Sequence, residues 1–153
     1  MSKLFRTTLW ILSGIGLIAF LVQTLSTFLI SPLMGLLSLL IAAVLVALVI
    51  YLLQRSPMWA RPARLWALLA FLWGGGVAVS LALISAGPVM QLAIGTGWVD
   101  AMMSWSGAYP EEISKATGVI FVLMSFRQLN RPWHGWVVGA VVGLGFEACE
   151  NIL

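Results

Sequence analysis

All the acidic residues of this 153-residue chain lie at or after position 100. They are Asp100, Glu111, Glu112, Glu147 and Glu150, and four of the five lie inside or at the edge of apolar segments. A charged side chain inside a membrane is costly, so an intramembrane carboxylate is a functional-site hypothesis by default. Two glutamate pairs in different environments can divide acid and base work between them. The chemistry of the chain is therefore expected at Glu111/Glu112, with Lys115 nearby, and at Glu147/Glu150.

The composition predicts an integral membrane protein with an all-α fold, a polytopic bundle of transmembrane helices. The chain is 61% hydrophobic and 8% charged, with a mean hydropathy of +1.05, whereas soluble domains carry about 25% charged residues. Most basic residues lie in short flanks between apolar runs, as topology determinants do. They are Lys3, Arg6, Arg55, Arg61, Arg64, Arg127 and Arg131. The net charge of +3 therefore indicates contact with the lipid bilayer and no nucleic-acid partner.

The lengths of the apolar runs predict one membrane domain, 1–153, with five spans, because about 20 apolar residues cross a bilayer as a helix. These lie near residues 8–30, 33–53, 65–85, 110–127 and 135–153. Gly87-Pro88 should end the third span, and Pro110 should begin the fourth helix. Residues 88–109, broken by glycines and Asp100, are expected to form an interfacial or re-entrant segment. The fifth helix should begin near Gly135 and continue to Leu153.

The positions of the basic flanks predict a multi-pass protein of the cell membrane with a cytoplasmic N-terminus. All the flanks then lie on the inner side if residues 88–109 do not cross. The aromatic belt accounts for most of the tryptophans, and Gly74, Gly75 and Gly76 should let a neighbouring backbone approach closely. His134 is expected in an inner loop, and Cys149 as a small packing residue.

Helix rise brings the two glutamate pairs to a similar depth if the last two helices are antiparallel neighbours. From Glu111 to Arg127 the fourth helix descends about 24 Å, and the fifth rises about 21 Å from Trp136 to Glu150. Gly135, Gly139 and Gly143 form a small-residue stripe that should face a packed helix. Glu150 should point into that contact, with its carboxylate about 3–7 Å from that of Glu111 or Glu112.

Simpler interpretations of these residues remain open. Glu111 and Glu112 could be first-turn acids favoured by the helix dipole, and Lys115 could be an ordinary ion-pair partner on the same helix. A proton or cation pathway built from the carboxylates, or an assembly scaffold in which they pair with Lys115 and a partner, are the alternatives to catalysis. His134 lies about 24 Å along the helix from Glu150, so it is not expected to act with that carboxylate.

The last third of the chain resembles the PrsW family of intramembrane proteases, distant relatives of the CAAX-processing and bacteriocin-immunity membrane proteases. Pro110-Glu-Glu-Ile-Ser-Lys115 is similar to the family's P-x-E-E-x-x-K motif. The segment from Gly139 to Asn151, Gly-Ala-Val-Val-Gly-Leu-Gly-Phe-Glu-Ala-Cys-Glu-Asn, is similar to its G-x-x-x-G-x-G-F-x-x-x-E-N motif. His134 and Glu147 depart from the family's usual aspartate and small residue. A further histidine motif follows in the family, so this sequence is expected to be truncated at the C-terminus.

The resemblance implies hydrolysis of a peptide bond in a membrane protein, of the anti-sigma-factor type in bacteria. Glu111 or Glu112 would act as general base on water, and Glu150 as a second acid or water-positioning group. Lys115 would adjust the pKa values of the nearby carboxyl groups. Asn151 would donate a hydrogen bond to the developing oxyanion. A divalent metal such as zinc, held by Glu112 and Glu150, is one version of this chemistry. A purely glutamic mechanism, which requires no cofactor, is the other.

Overall fold

The computed structural model describes residues 3–62 and 64–153. Of Arg64 it describes only the backbone, so the predicted role of that side chain as a topology determinant lies outside the described residues. Within these ranges the fold is all-helical and contains no strand, which confirms the predicted class. The α-helices are α1 Lys3–Ile30, α2 Pro32–Arg55, α3 Arg64–Leu72, α4 Val79–Gly95, α5 Met102–Ser125 and α6 Pro132–Glu150. A π-helical segment, Trp73–Ala78, joins α3 to α4, and a short 3₁₀ turn, Val99–Ala101, precedes α5.

Two of the helices form an N-terminal hairpin with most of its apolar surface uncovered. Ser31 separates α1 from α2, and Pro32 occupies the first turn of α2, where its missing N–H costs no helical hydrogen bond. In the most apolar 18-residue window of α2 only 11% of the residues are buried, against 50% for Leu65–Gly95. A helix that exposes so much apolar surface is suited to lipid rather than water. Among the described residues, three helical stretches are long and apolar enough to cross a membrane: Lys3–Ile30, Pro32–Arg55 and Leu65–Gly95.

The π-helical segment lies at the centre of the bundle, and all six of its residues are buried. As the sequence predicts, its glycines permit close backbone approach. A Cβ added to Gly74 would collide with the carbonyl oxygen of Val142 in α6, and one added to Gly76 would collide with the backbone of Gly16 in α1. The segment therefore packs directly against both helices.

The chain between 88 and 109 forms the ends of two long helices rather than a separate segment between them. Pro88 lies inside α4 and Pro110 lies buried inside α5, so the predicted end at Gly87-Pro88 and the predicted start at Pro110 are both wrong. The true break is at Gly97, which has a φ of +80°. Trp98 N–H donates to Ala93 O at 2.8 Å and Gly97 N–H to Ile94 O at 3.0 Å, the Schellman pattern that ends a helix. Residues 88–109 are thus the two ends and the turn of an α4–α5 hairpin.

The last helix also differs from its predicted bounds. It begins at Pro132 rather than near Gly135, and it ends at Glu150, with a turn following. His134 is therefore not a loop residue. It is buried in the first turn of α6, where its Nδ1 accepts the backbone N–H of Arg131 at 3.0 Å. The histidine caps the helix at the end opposite Glu150.

Two tryptophans contradict the aromatic-belt interpretation. Trp66 and Trp73 are among the largest fully buried side chains of the core. Trp66 donates its indole N–H to Ala60 O at 3.1 Å, which fastens the α2–α3 loop to α3. Cys149 is fully buried, which confirms its predicted role as a packing residue.

Candidate active site

Lys115 connects the glutamates of α5 to α6. Its Nζ lies 3.0 Å from Glu112 Oε1 and 3.9 Å from Glu111 Oε2. The same ammonium group lies 4.0 Å from the ring centroid of Phe146 in α6, a cation–π contact. One cation therefore contacts both carboxylates of its own helix and an aromatic ring of the next.

The packing of α5 against α6 fixes which residues share a level. A Cβ built on Gly139 would lie 3.8 Å from Val119 Cγ2, and one on Gly135 would lie 3.9 Å from Leu123 Cδ1. In antiparallel helices each step forward along one helix faces a step backward along the other. The same register therefore places Glu111 level with Glu147. Glu150 lies about one helical turn beyond. Its carboxylate is repelled by those of Glu111 and Glu147 and attracted by the Lys115 ammonium.

The glutamates of α6 do not turn into a packed interface as predicted, because Glu147 and Glu150 are both exposed. The predicted glycine stripe is also only partly packed: a Cβ on Gly143 would meet nothing within 4 Å. The close contact uses Gly145 instead, where an added Cβ would collide with the carbonyl oxygen of Phe71. Glu150 lies five residues after Gly145, about 140° around the helix. Its side chain therefore points away from the contact with α3 and is exposed at the end of α6, the rim of the bundle on this side.

The two carboxylates next to Lys115 differ in their surroundings. The Glu112 side chain is 73% exposed and that of Glu111 is 33% exposed. Glu112 makes the shorter ion pair with Lys115, 3.0 Å against 3.9 Å for Glu111. The structure thus brings Glu111 and Glu112 together around Lys115, with Glu112 the more exposed of the two.

Trp73 of the π-helical segment holds α5 in place, a function that sequence reasoning missed. Its indole N–H donates to Ser114 O at 3.0 Å, directly before Lys115 in the chain. Its ring stacks on Phe121 at 5.2 Å, and a Cβ on Gly118 would collide with it. Gly74, the next residue, packs on the backbone of Val142 and Phe146. The π-helical segment therefore positions both Lys115 and the Phe146 ring that Lys115 contacts. The signal was a tryptophan directly before three glycines, in the middle of an apolar span.

A small polar network lies beside Glu150. Gln23 of α1 donates its amide N–H to Ser80 Oγ at 3.0 Å, and its Oε1 lies 3.7 Å from Cys149 Sγ. The Asn151 side chain donates its amide N–H to Glu147 O at 2.8 Å and so caps the end of α6. Asn151 retains its second amide hydrogen, at the same rim as Glu150.

The fold and this site define a class: a polytopic helical membrane protein in which a lysine pairs with two glutamates of its own helix and contacts an aromatic ring of the next. Comparison with known families is consistent with that class. The model of the PrsW family, described as intramembrane metalloproteases, matches residues 62–153, which is more than half of the chain. The protein therefore belongs to the PrsW family of intramembrane proteases.

The family match extends beyond the motifs recognisable in the sequence. It begins at residue 62 and so includes the third long helix with its π-helical segment, whereas the two motifs lie within 110–153. No curated protein matches this chain. No solved structure matches it either.

The described residues do not fit the metal that the family description implies. Among residues 3–62 and 64–153, no group of three or more histidine, cysteine, aspartate or glutamate side chains is arranged to hold a metal ion. The Lys115 ammonium lies between the Glu111 and Glu112 carboxylates, where a cation ligated by both would lie. His134 lies at the far end of α6. The groups that the site offers for chemistry are therefore its carboxylates, the lysine ammonium and the Asn151 amide.

Proposed function

We propose that the chain hydrolyses a peptide bond of a membrane protein substrate at the rim where α5 meets α6. The observation that carries the proposal is the contact of Lys115 with Glu112, Glu111 and Phe146, which joins the two family motifs in one place. The exposure of Glu147 and Glu150 supports it, since a catalytic rim must admit both a water molecule and an extended segment of substrate.

In this mechanism Glu111 is the general base and Glu150 is its partner acid. Glu111 accepts a proton from water as the water oxygen attacks the carbonyl carbon of the substrate. A proton then passes from a carboxyl group to the departing amine nitrogen as the carbon–nitrogen bond breaks. Glu111 is favoured over Glu112 because it is the less exposed of the two and lies level with Glu147 of α6. Lys115 stabilises the negative charge that develops, and the second amide hydrogen of Asn151 is available to the oxyanion.

We propose a purely glutamic mechanism that needs no cofactor. The version with a divalent metal such as zinc, held by Glu112 and Glu150, is the alternative that a chelator distinguishes. Cleavage by the purified full-length protein should persist in EDTA and in 1,10-phenanthroline. Loss of cleavage in chelator, with recovery on addition of zinc, would contradict the glutamic mechanism.

The substrate proposed from the family resemblance is a regulatory membrane protein of the anti-sigma-factor type. The test is to reconstitute the full-length protein in vesicles with candidate single-span substrates and to analyse the products by mass spectrometry. The wild-type protein should yield a defined pair of fragments, and the Glu150→Gln variant should yield at least about a hundredfold less of them. Proton or cation flux across the same vesicles without any cleavage would favour the pathway alternative, and the absence of both would favour the scaffold.

The proposed location is the cell membrane, with five spans and a cytoplasmic N-terminus. Single-cysteine variants in a Cys149→Ala background test this, because Cys149 is the one native thiol. Ser56→Cys and Asn130→Cys should react with an impermeant maleimide from the same side of the membrane. Thr96→Cys, at the tip of the α4–α5 hairpin, should react from the other side. Labelling of Ser56 and Asn130 from opposite sides would overturn the topology.

A further inference from the structure

A cavity lies at the end of the bundle opposite the glutamates. A cavity of about 620 Å³ is formed between the start of α1 and the end of α5. Lys3, Arg6, Thr7 and Trp10 line it from α1, and their i, i+3, i+4, i+7 spacing places them on one face of that helix. Arg127 lines the cavity from the segment after α5.

The charges of this cavity have one sign. Lys3, Arg6 and Arg127 line it, and no acidic residue in the described part of the chain does. Both ion pairs found among the described residues belong to Lys115. Glu112 lies thirteen residues before Ser125, the last residue of α5 and a lining residue of the cavity, about 20 Å away along the helix. Three cations around one space, with no described carboxylate lining it, are electrostatically complementary to an anion.

The remaining walls of the cavity are partly polar and partly apolar. Trp10, Leu65 and Phe126 form the apolar part, and Thr7 and Gln128 contribute a hydroxyl and an amide. The Gln128 amide is held in place because it donates to Pro62 O at 3.0 Å. A second cavity, of about 940 Å³, shares Leu65, Phe126 and Gln128 and adds Arg61. A ligand for this region needs an anionic group attached to an apolar portion.

We propose that this cavity binds a phosphate group, that of an anionic glycerophospholipid whose acyl chains lie along the apolar wall. Arginine and lysine pair with phosphate through charge-assisted hydrogen bonds, and basic pockets between helices on the cytoplasmic side bind anionic headgroups. The positive-inside rule accounts for basic residues on one side of a membrane. It does not account for cations from the two ends of a 125-residue stretch of chain (Lys3 and Arg127) lining one cavity with a shared apolar wall.

The test measures lipid binding by the full-length protein, independently of any proteolysis. Protein in a neutral detergent is titrated with short-chain phosphatidylglycerol, short-chain phosphatidylcholine or inorganic phosphate, and bound species are counted by native mass spectrometry. Phosphatidylglycerol should bind at least tenfold more tightly than phosphatidylcholine. Arg6→Gln and Arg127→Gln should each weaken that binding about fivefold, as expected for one basic residue at an anionic lipid.

The matched control is Arg55→Gln, a basic residue in the last turn of α2 that stacks on Tyr51 and does not line the cavity. Its binding should equal that of the wild-type protein. Equal weakening in Arg55→Gln and Arg6→Gln would overturn the proposal in favour of diffuse charge attraction. Binding of inorganic phosphate as tight as that of the lipid would overturn the lipid source. Arg6→Lys, which keeps the charge, should retain binding, so that a fold defect in Arg6→Gln is recognised.

Discussion

The two ends of the bundle carry opposite charge, and they are built in different ways. At the acidic end, the side chains from α5 and α6 are brought together by packing in the interior, through Trp73, Gly74 and Gly145. At the basic end, Lys3, Arg6 and Arg127 lie exposed on helix ends and loops. Geometry at the acidic end therefore depends on the core, whereas charge at the basic end depends mainly on where the chain crosses the surface. Changes in the core should affect the first and leave the second intact.

Removal of one carboxylate at the acidic end should have the largest effect on cleavage. Glu111→Gln and Glu150→Gln should each lower cleavage by about 10²–10⁴-fold, the range for loss of a general acid or base, without changing the unfolding midpoint in detergent. Cleavage is followed with the purified protein and its substrate in vesicles. Asp100→Asn, a carboxylate in the turn before α5, should leave the rate unchanged. Wild-type cleavage by Glu150→Gln would remove that residue from the mechanism.

Overpacking of α6 should destabilise the fold next most strongly. Gly145→Ala places a methyl group against the backbone of α3, and it should lower the free energy of unfolding by about 1–3 kcal/mol. Gly143→Ala is the matched change, since a Cβ there meets nothing within 4 Å. It should be neutral or stabilising by up to about 1 kcal/mol, because alanine is the better helix former. Reversible unfolding in detergent measures both; equal effects would contradict the assigned packing.

Removal of the Trp73 indole donor should impair the acidic end and leave the basic end unchanged, with a smaller effect on cleavage than loss of a carboxylate. Trp73→Phe keeps a ring against Phe121 and leaves Ser114 O without its side-chain donor, a loss of about 1 kcal/mol. Cleavage should fall about tenfold as Lys115 and Glu111 shift relative to Glu150. Binding of phosphatidylglycerol at the basic end should stay the same. A parallel loss of both activities would mean that the variant unfolds as a whole.

The smallest effect is expected at the exposed carboxylate of the acidic end. Glu112→Gln removes an ion pair whose acid is 73% exposed, and such pairs contribute about 1 kcal/mol or less. Cleavage should fall no more than about fivefold. A loss as large as that of Glu111→Gln would transfer the role of base to Glu112 and overturn the division of work inferred from their exposures.

Part of the acidic end could be predicted because it follows from helix geometry and charge. The depth of Glu111 and of Glu150 along antiparallel helices depends only on the rise per residue. The direction in which Glu150 points could not be predicted, because two sets of small residues on α6 could have formed the close contact. Gly145 fits against Phe71 and Gly75 of another part of the chain, and such a long-range match leaves no periodic signal in α6 itself.

The helix boundaries were misassigned where proline was given too much weight. Proline removes one N–H and disfavours a helix interior, but Pro88 and Pro110 both lie within long helices, which pack against each other. The decisive residue was Gly97, whose positive φ only glycine adopts easily. Trp73 was missed for a similar reason, since the aromatic-belt rule describes span ends and this residue lies at mid-span.

The π-helical segment has a consequence for the phase of the helix that follows it. A wider turn accommodates an additional residue, so the faces of α4 are rotated relative to those that an uninterrupted α-helix from Arg64 would present. Deleting one of Gly74, Gly75 or Gly76 would keep the hydropathy of the span almost unchanged. The shortened segment would close into regular α-helical turns, and Ser80 and the later side chains of α4 would keep their present faces, with Ser80 still directed toward Gln23. A homologue with a single-residue gap at this point would therefore present the same face of α4 to α1, with a regular helix in place of the wider turn.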